Sequence, residues 1–204
     1  MNSSSLLGGP SVDLTEAPLI KRSMRERIRA ERRRRDPRSL EADAWGLAAV
    51  ALEQPEITRA RCVAAYVSTP HAPGTQPLRR ALRSGGVRVL LPLLLDDGRL
   101  DWSVDGEDDE KALLGMDGIR EADVVIVPAL AVDTLGNRLG QGAGFYDRTL
   151  RMIEPTVTVF AMVYENEVLD AAIEPVPAEA HDRPVDAVLT PRRHLRLPPR
   201  RWFS

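Results

Sequence analysis

Between Val124 and Leu150 the chain reads VVIVPALAVDTLGNRLGQGAGFYDRTL. An apolar strand runs into a loop holding Gly136, Gly140, Gly142 and Gly144, and a helix expected from about Phe145 to Ile153 follows. Glycine has no Cβ, so such a loop can turn tightly and bring its backbone against a ligand. Amides near a helix N-terminus favour phosphate, through unpaired N–H groups and the helix dipole. Arg138 adds a planar cation able to fork onto phosphate oxygens. The chemistry indicated is phosphate binding. It is not the Walker loop, because no Gly-Lys-Ser/Thr follows, nor the dinucleotide fingerprint, because Gly140, Gly142 and Gly144 have the wrong spacing.

A second group of cations lies near the start. Lys21 and Lys111 are the only lysines in a chain whose other basic side chains are arginines. Lys21 and Arg25 are four residues apart and share one face of an expected helix. Taken alone, the basic run from Arg25 to Arg35 suits a solvated helix face or a nucleic-acid-binding arm. The glycine loop turns the reading toward nucleotide phosphate.

Taken together, Pro128, Asp133, Gly136 and the run from Arg138 to Asp147 resemble the 5-formyltetrahydrofolate cyclo-ligase family, also called 5,10-methenyltetrahydrofolate synthetase. That family shows a proline-ended strand, an Asp-x-x-Gly turn, then Arg-Leu-Gly-x-Gly-x-Gly-aromatic-Tyr-Asp. The Lys21-x-x-x-Arg25 helix and the closing His181-Asp182-Arg183-Pro184-Val185-Asp186-Ala187-Val188-Leu189-Thr190 resemble it in the same order. The resemblance implies a three-layer α/β/α fold with a mainly parallel sheet, similar to sugar-phosphate isomerases and CoA transferases. It implies ATP- and magnesium-dependent ring closure of 5-formyltetrahydrofolate, with ATP as co-substrate.

The residue roles it implies are these. ATP is expected at Lys21, Arg22, Ser23, Met24 and Arg25, and along Arg138, Leu139, Gly140, Gln141, Gly142, Ala143, Gly144, Phe145 and Tyr146. Magnesium is expected at Asp147 and Asp186, since this ion takes one or two carboxylates plus phosphate oxygens and water. Folate is expected at Val67, Ala72 and the stretch Gln141, Gly142, Ala143, Gly144 and Phe145. Lys21, Arg138 and Tyr146 are the expected catalytic group. One departure stands out. Where the family usually has Glu-Pro-x-Thr, this chain reads His71-Ala72-Pro73-Gly74-Thr75, which puts Ala72 in the glutamate's place. Alanine cannot accept a hydrogen bond, so weaker folate binding is expected. An ATP-binding protein of the same fold without folate turnover is therefore a second reading, and an arginine-rich nucleic-acid protein a third.

The positioning elements follow from periodicity. Leu19, Ile20, Met24 and Ile28 form an apolar stripe on a helix over residues 19–35, ended at Asp36-Pro37. A helix over 38–53 offers Trp45, Leu47, Val50 and Leu52 for burial. Residues 62–67, 87–91, 124–127, 157–164 and 186–189 read as short apolar strands. Thr75 can cap a helix to Ser84, and Gly85-Gly86 ends it. Asp96-Asp97-Gly98-Arg99 joins two strands as a hairpin. Strands that alternate with helices and lack polar alternation predict an α/β domain with a parallel, two-side-covered sheet.

Composition sets the outer limits. The chain has 204 residues, 43% hydrophobic and 28% charged, with net charge −2 and one cysteine. That excludes a disulfide framework and a chain-wide polyelectrolyte binder of nucleic acid, and suits a reducing cytoplasm. No apolar stretch has membrane-spanning length. Residues 1–17 read as a flexible tail without a secretory signal, 18–193 as one domain, and 194–204 as a peripheral Arg/Pro-rich tail. A monomer acting on a small molecule is expected.

Overall fold

The computed structural model describes residues 16–106, 113–179 and 182–199. Most of the expected N-terminal tail, and residues 200–204 of the C-terminal one, lie outside the described residues. The helices are α1 (Ala17–Arg33), α2 (Pro37–Leu52), α3 (Pro55–Thr58), α4 (Gln76–Ser84) and α5 (Phe145–Thr149). The strands are β1 (Cys62–Ala64), β2 (Arg88–Leu94), β3 (Leu100–Val104), β4 (Val124–Pro128), β5 (Ala131–Asp133), β6 (Arg138–Leu139), β7 (Thr158–Met162), β8 (Val168–Leu169), β9 (Ala187–Leu189) and β10 (His194–Arg196). None of the described helices is long and apolar enough to cross a membrane.

Seven strands form the main sheet in the order β10-β9-β7-β4-β1-β2-β3. The five central strands are parallel, and β3 and β10 pair antiparallel at the two edges. The central runs are apolar throughout because both faces are covered. Val63, Val89, Val124, Ile126, Phe160 and Leu189 pack toward Leu47, Ala51, Ile57, Leu78 and Leu82 of α2, α3 and α4. Their neighbours Ala64, Leu90, Val125, Val127, Val159 and Val188 face Trp102, Ile119, Leu150, Ile153 and Leu197. The expected third layer is thus mostly irregular chain, with a 3-10 turn at Met116–Glu121 and the short α5.

A second sheet, β6-β5-β8, with β6 in the glycine-containing loop after β4, has no counterpart in the sequence reading. It is the seat of α1. Met24 and Ile28 pack on Leu130, Ala131, Leu139 and Leu169. Asp133, fully buried, organises the turn between β5 and β6. Its carboxylate accepts from the Leu135, Asn137 and Val176 backbone N–H groups at 3.0, 2.9 and 3.0 Å.

Several local expectations are corrected. Trp45 is 60% exposed on the outer face of α2. Thr75 does not cap α4; its hydroxyl donates to the Tyr66 carbonyl at 2.6 Å. α5 stops at Thr149, short of Ile153, because the chain beyond turns inward. Arg183, 6% exposed, donates to the carbonyls of Leu150, Ile153, Glu154 and Val157 at 3.1–3.3 Å and satisfies groups a longer helix would have bonded. Residues 194–196 are not peripheral, since β10 closes the sheet edge and Leu197 enters the core.

Candidate active site

Pro128, the last residue of β4, borders a cleft of about 620 Å³ at the carboxyl end of the parallel strands. In open α/β sheets this is where ligands bind. α1 contributes Lys21 and Arg25, the chain after β6 contributes residues 138–148, and a third segment brings Glu179 and Asp182.

Helical spacing decides which α1 residues take part. Lys21 and Arg25, one turn apart, line the cleft. Met24 is turned into the core beneath and Arg22 is 77% exposed and pairs with Glu26. Ser23 is exposed on the outer side. Of the five residues in that run, Lys21 and Arg25 are the two that line the cleft.

The same helix clamps the glycine loop. The Arg25 Nε donates to the Gly140 carbonyl at 2.9 Å. Arg29 donates to the Gln141 carbonyl and to its Oε1, both at 2.8 Å. Gly142 and Gly144 have φ of +108° and +67°, where an L side chain is strained. Among the described residues, no acceptor is bonded to the backbone N–H groups of residues 141–147. α5 spans five residues, so its dipole is small and these loop amides are the available donors.

Arg138 has a side chain only 4% exposed and forms an ion pair with Asp147, which is 31% exposed. Lys21 sits between Asp182 at 3.4 Å and Glu179 at 3.6 Å. Burial, then the nearby Arg29 charge, lowers the Arg25 pKa, while Asp147 opposes the shift. Burial pushes the Tyr146 phenol well above its ordinary range, with Arg138 acting the other way. The cleft lining holds five cationic side chains, Lys21, Arg25, Arg138, Arg148 and Arg151, against three carboxylates, Asp147, Glu179 and Asp182. That balance suits a polyanion.

The expected pair of metal carboxylates is not brought together. Asp147 lines the cleft, but Asp186 lies before β9, exposed, with its Oδ2 accepting from the Val159 N–H at 2.8 Å. Val159 pairs with Val125, three residues before Pro128 along the strand direction, or about 10 Å from the cleft. The aspartate at the cleft is Asp182, which stands in the same closing motif. Val67 is 59% exposed and does not line the cleft. Ala72 lies in a smaller cavity of about 280 Å³ that shares Gln141 with the cleft. Phe145 and residues 139–144 line the main cleft. Arg148, Arg151 and Glu179 line the cleft without having been among the expected site residues; Arg29, within the basic run read toward phosphate, reaches the glycine loop through its two-turn spacing from Lys21.

Fold and cleft define a class, an α/β protein with a cationic, glycine-lined pocket at the carboxyl end of its parallel strands. The model of the 5-formyltetrahydrofolate cyclo-ligase family matches residues 19–191. A 5-formyltetrahydrofolate cyclo-ligase of Mycolicibacterium smegmatis is 42% identical over 151 residues, covering 66% of this chain and 76% of that one. The Escherichia coli K12 protein of the same name is 30% identical over 181 residues, covering 81% and 97%. The solved 5,10-methenyltetrahydrofolate synthetases of Aquifex aeolicus and Mycoplasma pneumoniae share the fold, with TM-scores of 0.71 and 0.69. Their identities are 21% and 17%, covering 91% and 84% of this chain and 96% and 98% of theirs. The chain belongs to the 5-formyltetrahydrofolate cyclo-ligase family.

Proposed function

We propose that the protein closes 5-formyltetrahydrofolate to 5,10-methenyltetrahydrofolate with conversion of ATP to ADP and phosphate, working as a cytoplasmic monomer. The observation that carries this reading is the single cleft in which Lys21, Arg25, Arg138 and the 140–144 loop converge. A formyl amide oxygen is a poor leaving group. Its attack on the γ-phosphorus expels ADP and gives an imidate-like phosphate. N10 then attacks the activated carbon, loses its proton, and the C–O bond to phosphate breaks as the ring forms. No protein nucleophile is required. The chain's task is to position two substrates and neutralise charge. Lys21, Arg25, Arg138 and the loop amides are assigned to the phosphates, and the Tyr146 hydroxyl to a donor role beside them.

Asp147 and Asp182 are two carboxylates bordering one phosphate-sized cleft, a donor set that fits magnesium. The ion would neutralise phosphate charge when bound. In the free cleft the same carboxylates hold Arg138 and Lys21. Transfer of the carboxylates to a cation would release both basic side chains to the nucleotide.

Asp182→Asn should weaken ATP binding in magnesium about tenfold to a hundredfold, the cost of a charge-assisted contact of ~1.5–3 kcal/mol. Asp186→Asn should leave it unchanged. Calorimetric titration of both variants checks this, and the reverse ranking would restore the metal to Asp186. The functional reading itself is tested by ADP release that depends on added 5-formyltetrahydrofolate.

A further inference from the structure

β2 runs parallel to β1, and β1 to β4, so the hairpin from β2 to β3 stands at the carboxyl end of the sheet, the same end as the cleft. Its tip is a tight turn. The Gly98 N–H donates to the Leu95 carbonyl and the Leu95 N–H to the Arg99 carbonyl, both at 2.9 Å. Gly98 has φ of +76°, a conformation that suits glycine. The Asp97 carboxylate is taken up inside the turn, where it accepts from the Arg99 Nε at 2.7 Å and from the Arg99 backbone N–H at 3.0 Å.

Arg148 joins this tip to the cleft. The residue lies in α5 and lines the cleft, and its Nη2 donates to the Gly98 carbonyl. The guanidinium carbon is 5.7 Å from the centre of the Phe145 ring. A methyl group placed on Gly98 would stand 3.6 Å from Nη2, and one placed on Gly144 would stand 3.6 Å from Nη1. The guanidinium therefore spans the gap between the hairpin tip and the last glycine of the phosphate loop. One nitrogen holds the hairpin while the other lies beside the loop. Arg148 is exposed, so in the free cleft its side chain has rotamer freedom to lose.

We infer that Arg148 is a nucleotide-binding residue that ties the phosphates of bound ATP to the β2–β3 hairpin, so that filling the cleft orders the hairpin. This rests on the nucleotide reading above. A guanidinium carries its N–H donors in a planar fork. Nη2 can stay on the Gly98 carbonyl while Nη1 meets a phosphate oxygen. Phosphate binding immobilises the side chain, and the Gly98 contact then forms at a smaller entropic cost. The coupling is reciprocal, since a hairpin held in place presents Arg148 to the nucleotide.

Amide hydrogen exchange over residues 95–99, with and without magnesium and ATP, tests this. In the unaltered protein saturating ATP should slow exchange there by about fivefold or more. Arg148→Ala should keep its melting temperature, because the side chain is exposed. It should bind ATP about tenfold more weakly and show no slowing even when ATP saturates it. Arg148→Lys should recover much of the ATP affinity through its charge but not the slowing, because an ammonium cannot fork between two acceptors. Equal slowing in Arg148→Ala and the unaltered protein, or unchanged or faster exchange in the unaltered protein, would overturn the proposal. If the unaltered protein binds no ATP, the nucleotide reading falls together with this proposal, and calorimetric titration shows that before any variant is made.

Discussion

Arg138→Ala should lower turnover by about a hundredfold to a thousandfold while the protein remains folded. The side chain is almost fully enclosed at 4% exposure, and its partner is the cleft carboxylate Asp147. A guanidinium fixed in that way is pre-organised, so it meets developing charge on a transferred phosphoryl without reorganising. Removal of one such donor typically costs 10²–10³ in rate. Arg138→Lys should restore little, because an ammonium cannot fork onto two oxygens. Asp147, left unpaired, is 31% exposed and stays hydrated, so stability should change little. Steady-state rates, ATP affinity and a melting curve on both variants check this. A variant with near-normal rate and ATP affinity would remove Arg138 from the site.

The second large effect concerns stability. Glu167→Ala should cost roughly 3–5 kcal/mol, the usual penalty for stripping one partner from a buried ion pair. Arg32 and Glu167 are 4% and 2% exposed. The guanidinium donates to both Glu167 oxygens at 2.7 Å and to the Ala129 carbonyl at 2.7 Å. The carboxylate also accepts from the Tyr164 N–H at 2.8 Å. Removing it strands a buried cation and unfastens α1 from the ends of β4 and β7. For a chain of this length the melting temperature should fall by about 10 °C or more. Because α1 carries Lys21 and Arg25, ATP affinity should fall as well. Glu167→Gln, which keeps one acceptor, should be milder. A loss below about 1 kcal/mol in Glu167→Ala would show that solvent reaches the pair.

Neither Glu167 nor the second sheet was visible in the sequence, whereas both long helices were. α1 and α2 were legible because their limits are local. Asp36 accepts from the Arg38 and Ser39 N–H groups at 3.1 and 3.2 Å, and Pro37 opens α2. The Asp96–Arg99 hairpin was legible for the same reason, with Leu94 paired to Leu100. What escaped depends on contacts far apart in the chain. β5, β6 and β8 are two or three residues each and gain their order from α1 packed on them. Arg183 ends the α5 segment from about 30 residues away. The two aspartates of the closing motif look equivalent in sequence. The chain from Asp182 to Asp186 leaves one at the cleft and the other beside Val159. The glycine loop with Arg138 was the most legible part of the site, because its function needs backbone freedom and a fixed cation within ten residues.

If the cleft performs the proposed folate ring closure, the purified protein makes the methenyl product. The most direct measurement is the appearance of methenyl absorbance when the purified protein is given 5-formyltetrahydrofolate, ATP and magnesium. The chromophore should form in step with ADP, require all three additions, and be nearly abolished in Arg138→Ala. ATP binding with no methenyl product from folded, unaltered protein would contradict the proposed ring closure.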